Sequence, residues 1–194
     1  MSDRVQTAHR ARQLQLSPEL IAVRTARISD APALFKLIKY WADRELMLVR
    51  PMNLLYEQIR DFIVAEAPSA AVEEALGGPG ETMGNGAGGD ESALLACGAM
   101  HVLWHDLGEI RGLAVAPEAQ GLGLGRTIVR ACESSARAVA LPRVFAWTYQ
   151  VPFFEKLGYR VTDRAALPPK VWSECNRCPF YENCNETAVL KELP

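Results

Sequence analysis

Gln120, Gly121, Gly123 and Gly125 form a glycine-rich turn between an alternating segment, residues 109–115, and a run, residues 126–137, whose apolar positions recur at helical spacing. A strand that feeds a bare-backbone turn opening a helix offers converging N–H groups to an anion, and the helix dipole favours negative charge there. The glycines let the backbone approach phosphate oxygens, and Arg126 adds a charge-assisted donor. Familiar nucleotide patterns do not fit. The Gly-x-Gly-x-x-Gly dinucleotide fingerprint fails because Arg126, not glycine, stands three positions after Gly123. No Gly-Lys-Ser/Thr follows the glycines, which excludes the phosphate loop of nucleotide hydrolases. What fits is Gln-x-x-Gly-x-Gly at Gln120, Gly123 and Gly125.

The elements that must position this cradle are legible from periodicity. Residues 20–28 alternate as a first strand. Ser29 is the expected N-cap of a helix with Asp30 and Pro32 in its first turn, carrying Leu34, Phe35, Leu37, Ile38 and Trp41. Residues 46–51 connect to a second helix that starts near Asn53, carries Leu55, Ile59 and Phe62, and precedes a short strand at 63–65. Residues 67–92 contain Gly-Gly-Pro-Gly and Gly-Asn-Gly-Ala-Gly-Gly and almost no large apolar groups. Such a composition cannot bury enough surface to offset its chain entropy, so a flexible surface insertion is expected there. Residues 94–104 read as a long strand and 105–108 as a tight turn, giving an antiparallel hairpin with the strand at 109–115. Beyond the cradle helix come a strand at 143–149, a short helix at 152–158 closed by Gly158, and a strand starting at Tyr159. This order indicates a single α+β domain, a mixed central sheet flanked by helices.

The chain has 194 residues, 49% of them apolar, which suits one ordinary domain with a full core. Residues 1–18 are polar and expected to form a flexible tail, with 19–194 as the folded domain. The net charge is −2, from 21 basic and 23 acidic side chains without a basic tract, so nucleic acid and membrane surfaces are not expected partners. The sequence shows neither a membrane-span pattern nor a signal-peptide core, and a soluble cytoplasmic protein is expected. Of five cysteines, Cys175, Cys178 and Cys184 crowd into the segment 172–186, as Cys-x-x-Cys-x5-Cys. Three soft ligands are within reach of a zinc ion or an iron–sulfur cluster, whereas a tetrahedral site wants four; three reduced thiols holding no metal fit equally.

With a strand before the glycines, an amphipathic helix after them, then another strand and Phe153-Phe-Glu-Lys-Leu-Gly-Tyr159, residues 20–163 resemble the GCN5-related N-acetyltransferase (GNAT) superfamily. Within it the chain is similar to the short, kinase-domain-less form of the N-acetylglutamate synthases. Leu48-Val-Arg50, the run Gly108-Glu-Ile-Arg-Gly-Leu-Ala-Val115, Val144-Phe-Ala-Trp-Thr148 and the ending Thr187-Ala-Val-Leu-Lys-Glu-Leu193 carry that likeness. It implies a GNAT fold and acetyl-CoA as co-substrate. The backbone of Leu113, Ala114 and Val115 would then bond the pantetheine arm. The turn from Gln120 through Gly121, Leu122, Gly123, Leu124 and Gly125 to Arg126 would hold the diphosphate. It also implies an amino-acid acceptor, L-glutamate, acetylated on its α-amine at the first step of arginine biosynthesis, and a symmetric dimer, which is frequent among such enzymes.

Acetyl transfer to an amine needs a neutral nitrogen, a route for its proton, an oxyanion stabiliser and a proton for the leaving thiolate. The resemblance implies Glu109 as general base; an exposed strand-end carboxylate is its bland alternative. Thr148 stands where the family has a hydroxyl near the thioester, with Tyr149 the alternative proton donor. Arg50 and Arg111 are candidates for the acceptor's carboxylates, because a guanidinium fork grips a carboxylate bidentately. Thr187 is a further acceptor-binding candidate; Asn185 and Thr187 stand where an arginine and a serine are expected. Phe154 occupies the place of the catalytic tyrosine found in many acetyltransferases. His101, on a strand, could face the site as a base through water, although a lone strand histidine is more often structural; His105 reads as a solvated turn residue. Other readings of the chain are an acetyltransferase for another small amine or a protein N-terminus, and a metal- or redox-sensing module that binds acetyl-CoA without transfer.

Overall fold

A computed structural model describes residues 13–77, 91–168 and 184–194. A mixed seven-stranded sheet with the order β1-β2-β3-β4-β5-β7-β6 organises them. Its strands are β1 (Ala22–Thr25), β2 (Phe62–Pro68), β3 (Ser92–Trp104), β4 (Leu107–Val115), β5 (Arg143–Thr148), β6 (Arg160–Val161) and β7 (Thr187–Glu192). The helices are α1 (Ala31–Ala42), α2 (Met52–Glu57), α3 (Ser69–Leu76), α4 (Leu124–Ala138) and α5 (Val151–Glu155). Two compact units divide them. The first runs up to Cys97 and takes in Ala114–Ile128; the second comprises Gly98–Leu113 and the chain from Val129 onward.

In the first unit, β1 pairs antiparallel with β2 from Ala22↔Glu66 to Thr25↔Ile63. The first strand is shorter than its alternation predicts because residues 28–30 close a 3-10 turn instead. The Asp30 carboxylate accepts the Arg27 N–H at 2.6 Å, so Asp30 and not Ser29 organises the start of α1. Burial of Leu34, Leu37 and Ile38, each fully enclosed, contributes about 1.5–3 kcal/mol apiece. A cap contributes only ~1 kcal/mol, so packing decides where α1 lies. Arg24 forks between two carboxylates, donating from Nη1 to Asp30 Oδ2 at 2.7 Å and from Nε to Glu66 Oε1 at 2.8 Å. Burial works to raise the Asp30 carboxyl, but the Arg24 guanidinium and the Arg27 N–H outweigh it and hold the group below the usual carboxylate range.

Three expectations for this unit need correction. The second helix ends at Glu57, and Ile59 sits in a separate 3-10 turn before β2, which starts at Phe62. Residues 67–76 are not part of an irregular insertion. They complete β2 and form α3, because Ser-Ala-Ala-Val-Glu-Glu-Ala-Leu is rich in helix formers and Val72 is buried; averaging them with the glycines downstream hides that. The tail is also shorter than expected: Leu14 is buried and its N–H donates to the Glu118 carbonyl at 2.7 Å. Residues 1–12 and 78–90 lie outside the described residues.

The second unit is built on β5, which pairs parallel with β4 and antiparallel with β7. Strand β7 runs from Arg143↔Glu192 to Thr148↔Thr187 and also carries β6 on its other edge. Sequence periodicity does not announce β7, because Thr-Ala-Val-Leu-Lys-Glu lacks clean alternation; its central residues are covered on both faces. Leu107, Phe145, Leu167 and Ala188 form a core on one face, with Leu103, Trp147 and Leu190 against it. On α4 the fully enclosed Val129, Cys132, Glu133 and Ala136 share a helical stripe. Glu133 accepts from Lys191 Nζ at 2.8 Å, from the Tyr159 hydroxyl at 3.2 Å and from Arg130 at 2.9 Å. Burial, together with the Glu133 charge, pushes the Cys132 thiol up to about 12, which leaves it an inert apolar side chain at neutral pH.

Candidate active site

Strands β4 and β5 are in register only at Gly108↔Val144 and Glu109↔Phe145, although β4 continues to Val115 and β5 to Thr148. The two strands part immediately after Glu109. Gly108 permits the close approach before the split: a Cβ there would lie 3.1 Å from Leu141 Cδ1 and 3.2 Å from Met100 Sδ. Just beyond it, Gly112 has a φ of 60°, a left-handed residue inside a strand, and such a residue locally breaks the ladder and re-aims its neighbours.

Glu109 is buried, as is Arg111, and the two meet directly. Arg111 Nε donates to Glu109 Oε2 at 3.0 Å, and Nη2 donates to the same oxygen. The bland reading of Glu109 as an exposed strand-end carboxylate is therefore wrong. A buried carboxylate beside a single guanidinium can accept a proton from an amine brought to it. Its partner Arg111 is committed to this pair in the structure.

Strand alternation then sorts the remaining candidates. Glu109 is level with Phe145, so Thr148, three residues on, points to the opposite face of the sheet. Thr148 is buried, its Oγ1 accepts the Gln150 N–H at 2.8 Å, and it stands opposite Thr187. The structure pairs Thr148 with Thr187 and does not place either on the Glu109 face. Tyr149 is half-buried just past the end of β5. His101, on β3, is buried, whereas the His105 side chain is 78% exposed in the turn.

Residues that sequence reasoning missed gather on the Glu109 face. Ala188 stands opposite Trp147 and packs with Leu107 and Phe145, so Glu186, two residues before Ala188, belongs to the same side. Burial raises the Glu186 carboxyl above its usual range; the nearby Glu109 charge adds to the rise and Arg164 opposes it. Arg164 holds its guanidinium carbon 5.0 Å over the Trp147 ring centre. No spacing rule links positions 109, 147, 164 and 186; the pairing of β5 with β4 and β7 gathers Glu109, Trp147 and Glu186, and the turn Arg164–Ala166 sets Arg164 over Trp147.

The glycine turn lies in the first unit. Pro117–Ala119 forms a 3-10 turn, and Gly121 and Gly123 follow with φ of 87° and 77°. Helix α4 begins at Leu124, so Leu124, Gly125 and Arg126 are its first turn and not part of the loop as expected. Gly123 closes the helix start, its carbonyl accepting the Thr127 N–H at 3.1 Å. Arg126 is exposed and curls back, its Nη2 3.4 Å from where a Gly123 Cβ would stand. Gln120 is exposed and Leu122 half-buried. The Val115 carbonyl accepts from Trp41 Nε1 at 2.9 Å, which ties α1 to the strand end that leads into the turn. Arg50 is half-buried in the connection ahead of α2.

Of the cysteine cluster, Cys184 is a half-buried free thiol, while Cys175 and Cys178 lie outside the described residues. Among the described residues no group of three His, Cys, Asp or Glu side chains could hold a metal ion, and no helix is long and apolar enough to cross a membrane.

Residues 53–159, more than half of the chain, match the acetyltransferase (GNAT) family. The chain belongs to that family. This GNAT domain is 36% identical to the amino-acid acetyltransferase of Mycobacterium tuberculosis over 160 residues, 82% of this chain and 79% of that one. A solved Mycobacterium tuberculosis structure, in complex with CoA and NLQ, superposes with a TM-score of 0.68 at 31% identity, covering 89% of this chain and 99% of that one. The N-acetylglutamate synthase of Neisseria gonorrhoeae, solved with coenzyme A and N-acetyl-glutamate, gives a TM-score of 0.71 at 22% identity. That last likeness concerns the fold, and it covers 90% of this chain but only 35% of the longer enzyme. The mixed sheet flanked by helices is thus the GNAT fold, and the chain is a GNAT N-acetyltransferase.

Proposed function

We propose that this GNAT enzyme transfers the acetyl group of acetyl-CoA directly to the α-amine of L-glutamate in a ternary complex, with Glu109 as the general base. The observation that carries this is the parting of β4 from β5 immediately after a buried Glu109. Separated strands leave backbone groups for an extended thioester arm, and the carboxylate stands where they separate. In this reading Leu113, Ala114 and Val115 bond the pantetheine arm. Gln120 and the N–H groups from Gly121 to Arg126 hold the diphosphate, a helix start with two left-handed glycines and a basic side chain.

The chemistry then follows. The acceptor arrives as an ammonium; Glu109 takes its proton, and the freed nitrogen attacks the thioester carbon. The C–S bond breaks as the C–N bond forms, and the thiolate receives a proton, for which Tyr149, just past the end of β5, is the candidate donor, Thr148 pointing to the other face. A thiol with a pKa near ~8.5 demands little acid help. Arg50 is the candidate acceptor contact; Arg111 is tied to Glu109 and Thr187 lies on the opposite face of the sheet. The amino-acid acceptor is supported by the Mycobacterium tuberculosis relative named an amino-acid acetyltransferase and by the N-acetyl-glutamate held by the structurally similar gonococcal synthase. The reaction would open arginine biosynthesis in the cytoplasm.

Following CoA thiol release from acetyl-CoA with a panel of amino acids, small amines and an N-terminal peptide tests this. Turnover highest with L-glutamate is expected. Turnover with a different amine and none with L-glutamate would sink the substrate assignment, and bound metal without turnover would favour a sensing module.

A further inference from the structure

The chain ahead of β1 runs against the glycine turn. Leu14 is among the largest fully enclosed side chains of the fold, and its N–H donates at 2.7 Å to the Glu118 carbonyl, in the 3-10 turn that leads into the glycines. Side chain and backbone of Leu14 together fix the position of its neighbour Gln13, whose own side chain is exposed. The Gln13 amide reaches Gly121: a Cβ there would stand 3.2 Å from Nε2 and 3.9 Å from Cδ. Gly121 is thus bare for two reasons, its left-handed backbone at φ 87° and the amide that lies across it.

Gly123 is covered in the same way from the helix side, where Arg126 Nη2 lies 3.4 Å from the place of its missing Cβ. Each left-handed glycine of the turn therefore carries a side-chain nitrogen across it, Gln13 Nε2 on Gly121 and Arg126 Nη2 on Gly123. Both nitrogens donate and neither accepts. A diphosphate presents several anionic oxygens, and Arg126 is the only basic residue between positions 116 and 126. One guanidinium leaves acceptor oxygens over, and an amide NH2 can bond them with two N–H donors without adding a second charge. Because Leu14 is pinned to the turn, the amide starts within reach of such a ligand, and only its own rotamer has to be ordered on binding.

We infer that Gln13 is a coenzyme-binding residue, its amide NH2 donating to the diphosphate of acetyl-CoA beside Arg126 on the glycine turn. This contact rests on the acetyl-CoA reading of the turn given above and adds to it a wall of the site supplied by the segment before β1.

Calorimetric titration of CoA into the full-length protein and its Gln13→Ala, Gln13→Glu and Gln13→Lys variants tests this without an acceptor, and substitutions at an exposed position spare the core. Q13A is expected to raise the Kd for CoA about tenfold, the effect of losing a hydrogen bond to a charged group. Q13E, which sets a carboxylate beside the diphosphate, raises it further, and Q13K, a cationic donor, stays within about threefold of the unaltered protein. A side chain that only propped the turn would not follow that order of charge. Dephospho-CoA, which keeps the diphosphate and lacks the ribose phosphate, should show the same Q13A loss to within about twofold. A loss that disappears with dephospho-CoA moves the contact to the ribose phosphate and overturns the diphosphate assignment. So does a Kd that stays within about twofold in Q13A and Q13E alike, or a tighter one in Q13A, which would mean that the side chain stands in the ligand's place. If the unaltered protein binds no CoA, the coenzyme reading of the turn itself falls and takes this contact with it.

Discussion

Arg111 Nε donates to Glu109 Oε2 at 3.0 Å, with the two side chains 8% and 9% exposed. A pair this enclosed couples the stability of the fold to the charge of the candidate base. Removing only the guanidinium, in Arg111→Ala, leaves a buried carboxylate without compensation and should cost ~3–5 kcal/mol. Neutralising both partners, in the double variant E109Q/R111M, should recover most of that. Urea denaturation measures both. A loss below about 1 kcal/mol in R111A would show that solvent reaches the carboxylate and that the pair is of the weak, exposed kind.

Glu109→Gln keeps the shape of the side chain and removes its basicity. If Glu109 takes the amine proton, kcat should fall by ~10²–10⁴. The KM for acetyl-CoA should hardly move, because the diphosphate cradle does not include this residue. Steady-state kinetics at saturating acceptor checks the split. Full activity in E109Q would transfer the role to another group, with the buried His101 next in line.

How much of this was legible beforehand depended on the range of the interactions. The glycine turn, the strand leading into it and α4 were readable because they are local: positive φ at Gly121 and Gly123 and a 3.6-residue stripe follow from neighbours in sequence. The start of α4 was placed two residues late because glycines read as loop even when Gly125 is helical. The Glu109 face was half legible. Its β4 members stood out, but Glu186 joins it through the pairing of β7 with β5, and Arg164 through the turn whose neighbour Leu167 packs on Leu107, Phe145 and Ala188. The same pairings turn Thr148 away from Glu109, which no reading of residue types could reveal. Glu133 carries a signal in the sequence itself: a glutamate on the apolar stripe of an amphipathic helix must have buried partners.

Gly121 offers a test of the cradle that separates backbone from side-chain effects. With φ at 87°, an alanine there is strained by roughly 1–2 kcal/mol. Its Cβ would also stand 3.2 Å from the Gln13 amide nitrogen, the far end of an exposed, flexible side chain that can move aside. The backbone term should therefore dominate. Gly121→Ala is expected to raise the KM for acetyl-CoA, and a second substitution, Gln13→Ala, should not restore it. Rescue by Q13A would mean that crowding, not backbone geometry, was at fault.

The Arg24–Asp30 pair makes a prediction about acid. The folded-state carboxyl of Asp30 is held below its usual range, so the stability it contributes is present above the unfolded pKa, near ~3.9. That stability is lost as pH falls through the lower folded value. Asp30→Asn should remove the contribution at neutral pH. The stability gap between the variant and the unaltered protein should therefore narrow steadily below about pH 5. Thermal melts between neutral and acidic pH follow this; a gap that stays constant across the range would show that the carboxylate charge plays no part.

Glu133 separates folding from catalysis within the second unit. It is fully buried, and Lys191 Nζ, 2.8 Å away, also donates to the Leu157 carbonyl at 2.8 Å. One carboxylate thus fastens α4 to β7 and to the turn after α5. Lys191 shares the parity of Thr187 and Val189 on β7, so this network lies on the sheet face away from Glu109. Glu133→Ala leaves the Lys191 ammonium and the Tyr159 hydroxyl without their common acceptor, and a loss of ~3–5 kcal/mol is expected. E133Q, which still accepts one hydrogen bond, should lose less, and E133Q/K191M should regain most of the difference. At a temperature where the variant stays folded, its kcat should match that of the unaltered enzyme to within about twofold, since a group that never meets the reacting atoms cannot lower the barrier. A large fall in kcat with the fold intact, seen by circular dichroism at the assay temperature, would place this network in the chemistry rather than beneath it.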